Sequence, residues 1–211
     1  MAAVNYSVFL SEVLPFVQGC PDPIAINAVR NSAIEFCAST MYWQETQDVV
    51  TLQASDFPYD MPAPTGARVI QPLSVIVNGV PIDPKTIDLL DGTSPNWRTA
   101  VAGTPGNYFQ PNPDQLTLVP EVQDTVDLIL RVAYCPLRNS TTIEGWVYQN
   151  YLEGIAAGAL ARLMAIPSQS WSNATLAQYY LKLFGAAVND ATIEASKAFT
   201  RGSLQVKFRK A

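Results

Sequence analysis

The run Arg68–Ile82, R-V-I-Q-P-L-S-V-I-V-N-G-V-P-I, decides how the middle of the chain is built. Arg68 to Val77 reads as a strand, Asn78-Gly79 follows it, and Val80 to Ile82 resumes the pattern. Asn and Gly both tolerate the positive φ that a two-residue hairpin turn demands, so this dipeptide between apolar runs is the strongest short hairpin signal. Around the hairpin, from Val49 to Pro136, helical periodicity is absent, prolines crowd in, and short β-rich runs alternate with turn residues. Val49–Leu52, Ile87–Leu90, Gln115–Val119 and Thr125–Tyr134 are the other strand candidates, and Val126, Leu128, Leu130 and Val132 alternate on one face of the last. Six or so short strands suit a small antiparallel sandwich or a barrel-like module.

Both flanks of this region read as helical. A short segment from Tyr6 to Leu14 stops at Pro15. A longer helix then has Asp22 placed to cap it and Pro23 at its first position, where a missing N–H costs nothing, and extends to about Trp43. Ala25, Val29, Ala33, Phe36 and Met41 recur on one face of it. Beyond Pro136 two more helices are expected, from about Ile143 to Ala165 and from about Ser172 to Phe199. Gly154, Ala157, Gly158 and Ala161 line a strip of small residues on the first of these. Glycine within a helix costs about 0.5–1 kcal/mol against alanine, so two of them a turn apart imply close helix packing or a functional contact. The expected fold class is α+β. Residues 1–46 and 137–200 form a discontinuous helical domain, 47–136 an inserted β domain, and 201–211 an extended C-terminal arm.

Composition narrows the chemistry. The 211 residues are 48% hydrophobic and 15% charged, which predicts a folded chain with a sizeable core. No apolar run approaches a membrane span and the first residues lack the basic start of a signal peptide, so a soluble intracellular protein is expected. Cys20, Cys37 and Cys135 are odd in number and far apart, which fits buried thiols and neither disulfides nor a zinc site. Histidine is absent, and with it the commonest general base and metal ligand. The acids fall in no catalytic motif and there is no P-loop, G-x-G-x-x-G or G-x-S-x-G, so neither an enzyme nor a cofactor or metal is expected.

Charge is unevenly placed. All 18 acids and 8 of the 13 basic residues lie at or before Glu194, a balance of −10. From Lys197 on there are five basic residues and no acid, so the tail reads as an interaction arm. Within Ser203–Lys210, Leu204, Val206 and Phe208 alternate with Gln205, Lys207 and Arg209, a strand pattern that completes a sheet either on another chain or in this chain's own β region.

The order of segments resembles the adaptor, or head-to-tail connector, proteins of tailed phages, in particular of podophages with portal, adaptor and nozzle rings. The likeness spans nearly the whole chain. It rests on a helix ending in FCASTMYW (36–43), a strand module through VIVNGVPI (75–82) and GTPGNYF (103–109), and a strand leading to YCP (134–136). It closes with YLEGIAAGALARLMAIPSQSW (151–171) and AQYYLKLF (177–184). The resemblance implies a structural virion protein of the neck, assembled in the host cytoplasm. It also implies a ring, usually of twelve subunits, between the portal and a downstream tail or nozzle protein, around the channel for DNA ejection. On that reading Arg201, Leu204, Val206, Lys207, Phe208, Arg209 and Lys210 form a portal-docking arm. DNA passes without sequence-specific binding, since an acidic body repels phosphates. The rival is an accessory virion protein whose β module binds a glycan or protein ligand through Trp97, Tyr108 and Phe109.

Overall fold

The computed structural model describes residues 2–200; Met1 and residues 201–211 lie outside the described residues, and with them every arm residue named above. In chain order the strands and helices are β1 (Val4–Asn5), α1 (Leu10–Val13), α2 (Asp22–Thr40), β2 (Gln44–Thr46), β3 (Val50–Leu52), β4 (Tyr59–Asp60), β5 (Ala67–Val77) and β6 (Val80–Pro84). There follow α3 (Ile87–Thr93), β7 (Asn107–Phe109), β8 (Gln115–Val119), β9 (Val126–Pro136), β10 (Thr142–Ile143), α4 (Gly145–Met164) and α5 (Ala174–Ser196). The fold is mixed α+β. It divides into two compact units, one made of the residues up to Tyr42 together with those from Pro136 on, the other of Trp43–Cys135.

In the first unit α4 packs against both α2 and α5, and the short β1 pairs antiparallel with β10. Ala25, Val29, Ala33 and Phe36 of α2 are buried, as the spacing predicts. Met41 is not on that face, because the helix stops before it: Met41 takes a left-handed conformation with φ 51°. The Thr40 hydroxyl donates to the Phe36 carbonyl and accepts from the Tyr42 amide, which occupies backbone groups left open at the helix end. Pro15 lies in a 3₁₀ turn, Leu14–Phe16, that prolongs the first helical segment instead of ending it. The segment from Tyr6 is a chain of 3₁₀ and α turns whose Tyr6, Phe9 and Val13 are buried.

The second unit is built on one eight-stranded sheet, in the order β2-β9-β5-β6-β7-β8-β4 with β3 also on β9, curled into a half-barrel. The hairpin is where the sequence places it. Val77 faces Val80, Ile76 faces Pro81 and Val75 faces Ile82, around Asn78 and Gly79 at φ 49° and 78°. The Asn78 side-chain oxygen also accepts from the Asp127 amide at 2.8 Å, tying the turn to the start of β9. Asn78→Ala should therefore lower stability by roughly 1–3 kcal/mol, from the left-handed backbone alanine tolerates poorly and the lost hydrogen bond. Urea denaturation checks this. Val126, Leu128, Leu130 and Val132 of β9 are all buried.

Two expectations for this unit are corrected. Ile87–Leu90 begins a helix, α3, because the Thr86 side chain accepts from the Leu89 amide and caps its first turn, leaving Leu90 the one buried residue. The sheet is also not antiparallel throughout, since β6 and β7 run parallel. Parallel neighbours need a long crossover, and the stretch carrying α3 supplies it.

Candidate assembly interface

The small-residue strip lies where α4 meets its neighbours. A Cβ placed on Gly154 would stand 2.6 Å from the Ala187 Cβ of α5. One placed on Gly158 would stand 2.1 Å from the Ser32 Oγ of α2 and 2.7 Å from the Phe184 ring. Neither position has room for a methyl group. The space at Gly158 lets the buried Ser32 hydroxyl donate to the Ile155 carbonyl at 2.8 Å, a polar bond across two helices. Ala157 and Ala161 are buried on the same helix.

Near the other end of α5, Tyr42, Asn150, Tyr151, Asp190, Ile193 and Glu194 line a hollow of about 550 Å³. The hydroxyls of Tyr42 and Tyr151 both donate to the Glu194 carboxylate, at 3.2 and 3.0 Å, and the Asn150 amide donates to the Tyr42 oxygen at 3.1 Å. Burial, with the Glu194 charge adding to it, pushes the Tyr42 hydroxyl up to about 12. Tyr151 is raised by the same causes. Tyr151 leaves helical geometry (φ −133°, ψ 27°), a break in α4 at the place where its ring packs on Tyr42 and Phe36. The Tyr42 ring also meets Trp146 and Phe199. These phenols are held protonated at neutral pH, as structural donors.

α5 has a second apolar face. Ala177, Phe184, Ala191 and Ala195 are buried, while Leu176, Tyr179, Leu183, Ala186 and Ile193 are exposed, Tyr179 and Ile193 by about half (54% and 52%). Spacings of three, four and three residues put Leu176, Tyr179, Leu183 and Ala186 in one stripe, and the row continues through the exposed carboxylate Asp190 to Ile193 at the Tyr42–Glu194 hollow. Sequence reading missed it, although the signal is there: two interleaved apolar repeats in Leu176–Ala195 exceed what one buried face needs.

The aromatic residues of the β unit are occupied by their own surroundings. Tyr108 is buried. Trp97 packs edge-on against Phe109 at 5.1 Å, the Arg98 guanidinium covers its face at 4.3 Å, and its indole N–H donates to Asp91. Arg98 pairs with the same carboxylate, which holds it below the usual range. A glycan-stacking platform needs an open ring face, and the face under Arg98 is closed. Cys20, Cys37 and Cys135 are buried free thiols, and among the described residues no cluster of His, Cys, Asp or Glu could hold a metal.

Residues 4–206 match the family model described as SU10 adaptor protein. The chain belongs to that family. The match takes in both units of the fold, and it makes the chain a structural phage adaptor and a virion component that associates with other virion proteins. No curated protein matches the adaptor closely enough to count as a relative. Among the adaptor's described residues no helix is long and apolar enough to cross a membrane.

Proposed function

We propose that this adaptor forms a ring, of about twelve copies by the resemblance, that joins the portal to the next tail protein and surrounds the DNA passage without gripping it. The observation that carries the reading is the family match from residue 4 to 206, which spans nearly the whole chain. The exposed stripe on α5 supports it, since large apolar side chains in a row are costly in water unless a partner covers them. The acidic body supports free passage of DNA, because phosphate binding calls for lysine and arginine. The helical and β parts act as separate folding units, and Gly154, Ala157, Gly158 and Ala161 serve helix packing. The arm, with Arg201, Leu204, Val206, Lys207, Phe208, Arg209 and Lys210, docks on the portal. No turnover is expected from a chain without histidine and without a catalytic motif.

Sedimentation and negative-stain microscopy test the reading together. The isolated protein is expected as a monomer or weak oligomer, and mixed with portal rings it should add a layer beneath them. A compact monomer that joins no portal ring at any concentration would sink the proposal.

A further inference from the structure

The Tyr42–Glu194 hollow holds negative charge that its own walls do not balance. Both phenols donate to the same Glu194 oxygen, Oε2, so Oε1 receives neither bond. Asp190 stands one turn before Glu194 on α5 and lines the same hollow. The six lining residues thus include two acids and no base, with two tyrosine rings among the walls. Such a surround suits a guanidinium, which is planar, weakly hydrated and able to bond two oxygens at once. The chain leaves α5 at the edge of this hollow. The Phe199 amide donates to the Glu194 carbonyl at 3.2 Å and the Ala198 amide to the Ala195 carbonyl at 3.0 Å. Ala198 and Phe199 are both left-handed, at φ 48° and 60°, which turns the chain off the helix in a conformation that side chains disfavour. The Phe199 ring packs edge-on against Tyr42 at 5.2 Å and Trp146 at 5.5 Å, and the Thr200 amide donates to the Lys197 carbonyl. The described chain therefore ends beside a wall of the hollow, and the next residue is Arg201, the first base of the tail.

We propose that Arg201 turns its guanidinium into the hollow of its own chain, against the Asp190 and Glu194 carboxylates, and so fixes the root of the C-terminal arm to the helical unit. The inference goes beyond the ring reading and does not depend on it. Arg201 serves the arm by holding its base, and Leu204 to Lys210 remain for the portal. Three observations choose this occupant. In charge, a hollow with two acids and no base meets a tail that has Arg201, Lys207, Arg209 and Lys210 and no acid. In reach, Arg201 lies two residues beyond Phe199, a span of at most about 7 Å, from a ring already packed on the Tyr42 wall. In competition, a short tether holds a group at roughly millimolar effective concentration, which the tail of a separate copy must outmatch. A metal ion suits the hollow less well, since no group of three metal-ligating side chains gathers among the described residues.

Trypsin and a zero-length cross-linker test this on the full chain. In the parent protein the Arg201–Gly202 bond should be cut about tenfold more slowly than the Lys207–Phe208 bond, because cleavage waits for the guanidinium to leave the hollow. Asp190→Asn lies at an exposed position, so the melting temperature should hold while the two rates draw together. Equal rates in the parent would overturn the inference, and so would protection that survives Asp190→Asn, which would come from the turn alone. Arg201→Lys then supplies an amine that carbodiimide condenses with a carboxylate it touches. In an equal mixture of light and ¹⁵N-labelled chains, peptide mass spectrometry should find the new lysine joined to Asp190 or Glu194 of its own chain. Joints between light and heavy chains would give the hollow to the tail of another copy and overturn the inference. Equal yields from Lys207 or Lys210 would show that the tail is drawn in by charge without a fixed place for Arg201, and would overturn it too.

Discussion

Gly158→Ala should melt the helical unit about 2–8 °C below the parent protein. The added methyl has nowhere to go, since it would meet the Ser32 Oγ at 2.1 Å and the Phe184 ring at 2.7 Å. Overpacking of a tight core costs about 1–3 kcal/mol, and the better helix propensity of alanine returns about 0.5–1. The net loss is roughly 1–2 kcal/mol, and about 1 kcal/mol moves the melting temperature of a chain this size by about 2–4 °C. Ser32 makes the site sensitive, because displacing its hydroxyl also breaks the buried bond to the Ile155 carbonyl. Gly154→Ala offers a control with its own rescue. Its methyl would collide with the Ala187 Cβ, which moves only with the backbone of α5, so Ala187→Gly in the same chain should recover much of the loss. Calorimetry of the single and double variants checks both. Gly158→Ala melting at or above the parent temperature would show that the helices part easily there.

Deleting Ser203 to Ala211 should leave the melting temperature nearly unchanged and prevent attachment to portal rings. If the arm docks on another chain, burial of Leu204, Val206 and Phe208 contributes only in the complex, at about 1.5–3 kcal/mol for each fully buried large side chain. Losing three such contacts is ample to abolish assembly. If the arm instead pairs within its own β region, the truncation lowers the melting temperature by several degrees. Val206→Asp and Phe208→Asp should block docking while Gln205→Asp, on the opposite face of the alternation, should not. Equal loss from all three would show that the tail acts by charge alone.

Much of the fold is written in local signals. The Asn78-Gly79 turn and the alternation in β9 are decided by neighbours in sequence, and each is found where its residues place it. The start of α2 is corrected by one residue: Pro21 is the cap, Asp22 is already helical, and no side chain caps the helix, because the extended Pro21 backbone sets the entry. Readings failed where the deciding partner is distant or the signal small. β1, β2 and β4 have two or three residues each, too few for a period, and exist because β10, β9 and β8 offer them edges. Ile87–Leu90 reads as a strand yet opens α3, because one capping threonine outweighs the apolar run after it. At the candidate interface, the glycines of α4 stand out in the sequence as a small-residue strip, but which atoms fill the space above them requires the positions of Ser32, Phe184 and Ala187. The α5 stripe was hidden by its interleaving with a buried face of the same period.

The Ser32–Ile155 bond links residues 123 positions apart. α2 therefore waits, during synthesis, for helices made about a hundred residues later, while the β unit is one continuous stretch and can close on its own as it leaves the ribosome. A chain that stops early carries a finished β unit and a solitary amphipathic helix. Such a fragment lacks α4 and α5, against which the buried face of α2 packs. The split helical unit therefore closes only in a chain that has been made as far as α4 and α5.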